Sequence, residues 1–158
     1  MAGATPAIAA LTAAGIAYTE HRYEHDPAAA SYGMEAAEVL GLPPEQVFKT
    51  LLCEIDGRPH VAIVPVSCQL DLKHAAAAVG GKKAEMMPVA AAERLTGYIA
   101  GGISPFGQKR LSPTIVDETA ELYDVIYVSG GRRGFDIGVA PQDLQRLLGA
   151  VFADIARR

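Results

Sequence analysis

Phe48-Lys49-Thr50-Leu51-Leu52-Cys53-Glu54-Ile55, then Asp56-Gly57-Arg58-Pro59, then His60-Val61-Ala62-Ile63-Val64-Pro65-Val66 reads as two β-rich runs joined by a hairpin turn. Branched and aliphatic side chains suit a pleated, half-buried surface, and Asp-Gly is a strong short-range hairpin signal. A second pair repeats the pattern: Val125 to Ser129 and Phe135 to Val139 flank the glycine turn Gly130-Gly131-Arg132-Arg133-Gly134. Strands that cluster in hairpin-like pairs, instead of alternating strictly with helices, favour an α+β domain over a doubly wound sheet.

Helix signals fill the intervals. Thr5-Pro6 reads as an N-cap followed by proline at the first helical position, with Gly15 closing that helix, and Ile16 to Tyr23 alternates like a strand. Ser31 or Gly33 starts a second helix carrying Met34, Ala37, Val39 and Leu40 to Gly41, where Leu42-Pro43-Pro44 makes a stop. Asp71 caps a helix through Val79 ended by Gly80-Gly81, and Pro88 begins another that ends near Gly97. A short strand at Thr114 to Val116 and a final helix from Pro141 to Leu148 complete the reading.

Composition bounds the function. A chain of 158 residues, half of them hydrophobic, can bury its core as one domain spanning residues 1–158. No apolar run is long enough to span a bilayer, and Met1-Ala2-Gly3-Ala4-Thr5-Pro6 lacks the basic region of a signal peptide, so a cytoplasmic location and no membrane partner are expected. Cys53 and Cys68 fall in strand-like runs without Cys-x-x-Cys spacing, which argues against a disulfide framework or a zinc ribbon. The net charge of −4 argues against a broadly basic nucleic-acid surface, and no DNA partner is expected. RNA contacts would be local, through Lys82-Lys83, Lys109-Arg110 and Arg132-Arg133.

Three segments carry candidate chemistry, one of them Tyr127-Val128-Ser129-Gly130-Gly131-Arg132-Arg133-Gly134-Phe135-Asp136, a second glycine turn flanked by charge. In Gly101-Gly102-Ile103-Ser104-Pro105-Phe106-Gly107-Gln108-Lys109 the glycines leave backbone amides uncovered, and such a loop can hold an oxyanion. Lys49 is a lone cation between Val47-Phe48 and Leu51-Leu52; it either points to solvent or sits at the mouth of an apolar pocket, because an unpaired buried ammonium is costly. Other chemistries fit poorly. Ser104 lacks the following glycine of a nucleophile elbow, and Pro105 removes an amide that an elbow uses. His21 and His25 have metal-ligand spacing only on a helix, which the neighbouring residues oppose. The Gly130 to Gly134 turn lacks the dinucleotide fingerprint. No metal or cofactor is expected.

These segments, in this order, resemble the YbaK family of aminoacyl-tRNA deacylases, relatives of the editing domain of bacterial prolyl-tRNA synthetases. The resemblance runs from Thr5-Pro6-Ala7 through Tyr23-Glu24-His25-Asp26-Pro27, Lys49-Thr50-Leu51, Gln69-Leu70-Asp71-Leu72-Lys73, Thr96-Gly97-Tyr98 and the Gly101 to Gln108 loop to Phe152-Ala153-Asp154-Ile155-Ala156-Arg157-Arg158. It departs between Asp56 and Cys68, which looks shortened, and at Tyr32, where phenylalanine is expected.

The resemblance implies a curved, barrel-like, mixed and largely antiparallel sheet surrounded by helices. It also implies removal of cysteine mischarged on tRNA(Pro), and from tRNA(Cys) as a further substrate, by attack of the substrate's own thiol on its ester. Lys49 would position the aminoacyl adenosine, and the Gly101 and Gly102 amides would stabilise the developing alkoxide. Tyr23 and Tyr32 would line the pocket or stack on the terminal base, with core or rim packing as the plainer alternative. Ser129 and Asp136 would sit near the pocket; Asp136 would pair with the substrate α-ammonium or with Lys49, against the alternative of a surface aspartate. The implied partners are the tRNA(Pro) acceptor end and prolyl-tRNA synthetase. Two other readings stay open: a deacylase for alanine or another small amino acid, and a non-catalytic module that binds aminoacyl-tRNA or a synthetase.

Overall fold

The computed structural model describes residues 5–29 and 31–158. The first hairpin forms as its residues dictate: β2 (Phe48–Ile55) and β3 (Arg58–Pro65) pair antiparallel around a two-residue turn. Asp56 and Gly57 take φ of 51° and 80°, the left-handed pair that matches strand twist. Arg58 and Pro59, expected in the turn, therefore already belong to β3. Outward from this hairpin, β3 pairs in parallel with β6 (Thr114–Asp117), and β6 in parallel with β9 (Val151–Ala153). On the other side β5 (Ala84–Met86) covers only Cys53–Ile55 of β2. The rest of that β2 edge borders the site described below.

A second sheet is antiparallel throughout, with β8 (Phe135–Val139) between β1 (Thr19–Arg22) and β7 (Ile126–Arg132). Gly130 and Gly131 form a bulge between Ser129 and Arg132 of β7, Arg133 and Gly134 make the turn, and Ser129 stays opposite Asp136. A two-stranded pair, β4 (Gln69–Leu70) with β10 (Ala156–Arg157), completes the sheets. The α+β class and the mostly antiparallel pairing are as expected; barrel-like describes the sheets only loosely, since the described strands fall into three sheets and form no closed barrel. The two larger ones meet through a bridge between Val47 and Tyr127, and the Tyr127 amide donates to the Gln46 carbonyl at 3.1 Å.

Helix boundaries follow local capping chemistry. Thr5, Ser31 and Asp71 each accept a first-turn amide in front of α1 (Pro6–Ala13), α2 (Tyr32–Leu40) and α3 (Leu72–Ala78). Gly41, Gly97 and Gly149 close α2, α4 (Val89–Thr96) and α5 (Pro141–Leu148) in the left-handed conformation. β1 is shorter than the alternation from Ile16 implies, because the Ile16 amide bonds back to Leu11 of α1. Cys68 lies in a turn after β3 and not in a strand.

The main core packs Ala7 and Leu11 of α1 and Leu144 of α5 against Phe48, Leu52, Ile126, Val128, Phe135 and Ile137. A second core sets Ala75 and Ala76 of α3 beneath Cys53, Ile55, Val64 and Ile155. The N-terminus of α1 also joins two loops that bear on the site. The Thr5 hydroxyl donates to the Gly130 carbonyl at 2.6 Å, and Gly107 passes so close that a Cβ there would lie 2.4 Å from the Pro6 carbonyl. Gly107 has φ of 68°. Gly107→Ala is therefore expected to destabilise the fold by on the order of 3 kcal/mol, combining a left-handed non-glycine residue with a backbone clash. Urea denaturation checks this; an unchanged midpoint would mean that the α1 contact yields freely.

Candidate active site

A cavity of about 360 Å³ opens where the uncovered edge of β2, the start of α2, the loop after α4 and the β7–β8 hairpin converge. Lys49, Tyr23, Tyr32, Gly101, Ser129 and Asp136 all lie on its wall, although they come from six separate stretches of chain. Gly102 does not. It is buried behind the wall, where a Cβ would lie 2.6 Å from Arg132 Cα, so glycine is needed there for the loop to meet the hairpin.

The loop carrying Gly101 is pinned at several points. The Tyr98 hydroxyl donates to the Phe106 carbonyl at 2.6 Å, the Lys109 amide to Thr96 at 2.8 Å, and the Gln108 side chain to the Ser104 carbonyl at 3.0 Å. Ser104 is fully buried and accepts the Phe106 amide, a structural role. The Gly102 amide donates to Ile99 at 2.9 Å and the Ala100 amide to the Glu93 carboxylate at 2.8 Å. The amides of Gly101 and Ile103, both on the cavity wall, have no hydrogen-bond partner among the described residues. The loop amides left unpartnered at the wall are thus those of Gly101 and Ile103, and Ile103 is one that the sequence, with its two adjacent glycines, did not single out.

Tyr32 forms the outer wall, held from three sides. A Cβ on Gly101, whose φ is 83°, would lie 2.7 Å from the Tyr32 ring, so the ring rests on the glycine backbone. The His25 ring lies 5.5 Å from it, and the Arg133 guanidinium 4.9 Å from its centre. His25 is itself fixed by Glu35 of α2 at 2.7 Å, and the same carboxylate accepts the Asp26 amide at 2.6 Å. His25 is thus a partner of Glu35, while His21 sits on β1 with the Thr19 hydroxyl 2.8 Å from its ring. Neither joins a cluster of three metal-ligating side chains among the described residues.

The profile of the aminoacyl-tRNA editing domain matches residues 26–147. The chain belongs to this family of editing domains. Over 123 residues it is 42% identical to EbsC of Enterococcus faecalis, named a candidate Cys-tRNA(Pro)/Cys-tRNA(Cys) deacylase, a match covering 77% of this chain and 75% of the relative. A candidate trans-editing enzyme for prolyl-tRNA synthetase superposes with a TM-score of 0.81 at 25% identity, over 97% of this chain and 96% of that one. Hypothetical protein APE2540 shares the fold, with a TM-score of 0.86 at 22% identity over 97% of this chain and all of that one.

Within the editing-domain cavity, burial works against both charges. It holds the Lys49 ammonium below the usual lysine range, with the Cys68 sulfur acting weakly the other way. It pushes the Asp136 carboxyl up to about 7. Asp136 is only 7% exposed, which removes the surface-aspartate alternative, and no ion pair joins it to Lys49 among the described residues. Burial, reinforced by Asp136 and Glu35, raises the Tyr23 phenol to about 12, so it keeps its proton at neutral pH. Backbone donation from Asp26, with His25, holds Glu35 below the usual carboxylate range.

The hydroxyls on the wall differ in availability. Ser129 accepts the Gly131 amide at 3.2 Å, and Ser31 accepts the Met34 amide at 3.3 Å as the cap of α2. The Thr50 hydroxyl is buried with no hydrogen-bond partner among the described residues. It escaped the residue-by-residue reading although Thr50 follows Lys49 directly in the quoted motif, because an isolated threonine in a strand carries no signal of being orphaned.

A raised carboxyl sets a stability test. Below about pH 4 Asp136 is protonated in both folded and unfolded chains; between about pH 4 and 7 only the unfolded chain releases the proton, so its contribution is lost as pH rises. Asp136→Asn removes this dependence. Relative to the native protein, the variant is expected to gain on the order of 4 kcal/mol between pH 4 and pH 8 in urea denaturation. Parallel pH profiles would show that Asp136 is not held neutral by burial.

Proposed function

We propose that this editing domain is a trans-acting aminoacyl-tRNA deacylase that removes cysteine mischarged on tRNA(Pro), accepts tRNA(Cys) as a second carrier, and uses the substrate's own thiol to open the ester. The supporting observation is the composition of the wall: Ser129 and Ser31 already accept backbone amides, the Thr50 hydroxyl is buried, no histidine is among the described residues that line it, and the amides of Gly101 and Ile103 have no partner among them. The deacylase name of the 42% identical relative supports cysteine as the amino acid. An aminoacyl ester is already reactive, and a site that only orients it is sufficient.

In this reading the substrate thiol attacks its own carbonyl carbon. A sulfur–carbon bond forms, the ester carbon–oxygen bond to the ribose breaks, and the thiol proton ends on the departing ribose oxygen. The cysteinyl group leaves as a cyclic thioester, which water then opens. The Gly101 and Ile103 amides face the negative charge that develops on the carbonyl oxygen; one such donor is worth on the order of 3 kcal/mol. Gly102 lets the loop approach the hairpin. Asp136, once ionised, receives the α-ammonium, whose charge replaces the solvent that burial removed. Lys49 positions the aminoacyl adenosine, while Tyr32 and Tyr23 wall the space for the base and the side chain.

The partner in this account is the acceptor end of aminoacyl-tRNA in the cytoplasm. Prolyl-tRNA synthetase would present the mischarged tRNA, because a small acidic domain has little surface of its own for a whole tRNA. The test is release of labelled amino acid from tRNA(Pro) charged with cysteine, alanine or proline. Cysteine is expected to leave fastest, and Lys49→Ala to lose at least about 100-fold in kcat/KM with an unchanged thermal melt. Equal release of alanine and cysteine would overturn the substrate, and normal activity in folded Lys49→Ala would overturn the lysine's role.

A further inference from the structure

Arg133 stands at the tip of the β7–β8 hairpin, exposed at the rim of the cavity beside Tyr32 and the glycine loop. Its Nε donates to the Ala100 carbonyl at 2.8 Å, and its guanidinium lies over the Tyr32 ring at 4.9 Å. Ala100 and Tyr32 are both on the cavity wall. The side chain is therefore oriented by a backbone acceptor and an aromatic face, and neither takes up its terminal N–H groups. Among the described residues no carboxylate lies within ion-pair distance of Arg133. Some exposed cations are neutralised, as Arg22 is by Glu20, Lys83 by Glu85 and Arg146 by Asp143; Arg133 differs from the remaining exposed cations in being oriented beside the cavity wall by Ala100 and Tyr32. In a chain of net charge −4, a pre-oriented and uncompensated guanidinium at the cavity mouth calls for an anion.

We infer that Arg133 is a phosphate-binding residue that takes the phosphodiester of a single RNA strand entering the cavity, at the 5′ side of the terminal nucleotide. This rests on the aminoacyl-tRNA reading above. The placement follows from covalent connectivity. The ester is carried on the 2′ or 3′ oxygen of the last ribose and the phosphate on its 5′ oxygen, so the two are separated by one sugar. Along the wall, Arg133 is anchored on Ala100, the residue next to Gly101. With the ester at Gly101 and the base against Tyr32, the phosphate falls at the rim. A planar guanidinium there presents paired N–H groups that match two phosphate oxygens.

Two substrates separate this role from mere support of Tyr32: cysteinyl-tRNA(Pro), and cysteinyl-adenosine, which has the ester and base but no phosphate. Arg133→Ala is expected to lower kcat/KM at least about tenfold more for the tRNA than for the nucleoside ester, through KM. The slope of log kcat/KM against log salt should become shallower by about 0.7, the value for one phosphate on a single strand. Arg133→Lys, which keeps the charge but not the fork, should restore part of the loss on tRNA. Equal losses on the two substrates, with an unchanged salt slope, would overturn phosphate binding. Binding of an uncharged acceptor-stem RNA by fluorescence anisotropy tests the inference without turnover: weaker binding by Arg133→Ala supports it, and identical binding overturns it. Should the native protein bind this RNA through Arg133 yet hydrolyse neither ester, the deacylase reading fails and the phosphate site stands.

Discussion

At the glycine loop two backbone segments and one aromatic ring approach so closely that no side chain fits on the glycines between them. Gly107 lies against the first turn of α1, Gly102 against Arg132 of the hairpin, and Gly101 under the ring of Tyr32. This exclusion places α1, the second sheet and α2 around one cavity. It also leaves the amides at Gly101 and Ile103 on the wall, since the loop's own turn already satisfies Gly102. Tyr98, Thr96 and Ser104 then hold the loop from behind with hydrogen bonds to its backbone. In the proposed reading the Gly101 and Ile103 amides need no reorganisation when charge develops, which is the condition under which such donors stabilise an oxyanion.

Electrostatics at the site follow from the same packing. Asp136 faces inward because its register opposite Ser129 in the β7–β8 ladder puts it on the cavity side, away from the core face that carries Val128, Phe135 and Ile137. Burial there raises the carboxyl to about 7 and holds the Lys49 ammonium down, and neither has an ion-pair partner among the described residues. In the proposed reading an amino acid ester brings that complement: an α-ammonium for the carboxyl, and an oxygen-rich ribose for the lysine. The Thr50 hydroxyl, buried without a partner, adds one more polar group for the substrate to satisfy.

Much of the fold was legible because it is decided locally. The Asp56-Gly57 turn, the caps at Thr5, Ser31 and Asp71, and the helix-ending glycines at Gly41 and Gly97 act over a few residues, so their chemistry can be read in place. The short strands β4, β5, β9 and β10 were missed because two or three residues have no pattern of their own; their partners, such as Leu70 for Ala156, lie far along the chain. Barrel-like fits only loosely for a related reason: the two larger sheets meet through a single bridge between Val47 and Tyr127, a long-range pairing that no local pattern announces. At the site, the residue types were legible through the family resemblance. Their environments were not: the burial of Asp136, the Gly102 amide turned back on Ile99, and Arg133 resting on Tyr32 are products of tertiary packing.

The central claim is that the substrate supplies the nucleophile and the protein supplies the geometry. The direct measurement compares tRNA(Pro) esters of cysteine, S-methylcysteine and serine, with binding to the protein determined separately from the rate of ester cleavage. The account predicts that the cysteinyl ester is cleaved through a transient cyclic thioester, while the S-methylcysteinyl and seryl esters bind and persist, because a capped sulfur cannot attack and a hydroxyl is a far weaker nucleophile at neutral pH. Cleavage of the bound S-methylcysteinyl ester at a rate close to that of cysteine would contradict it, and would assign the reaction to water attacking an ester held at Gly101.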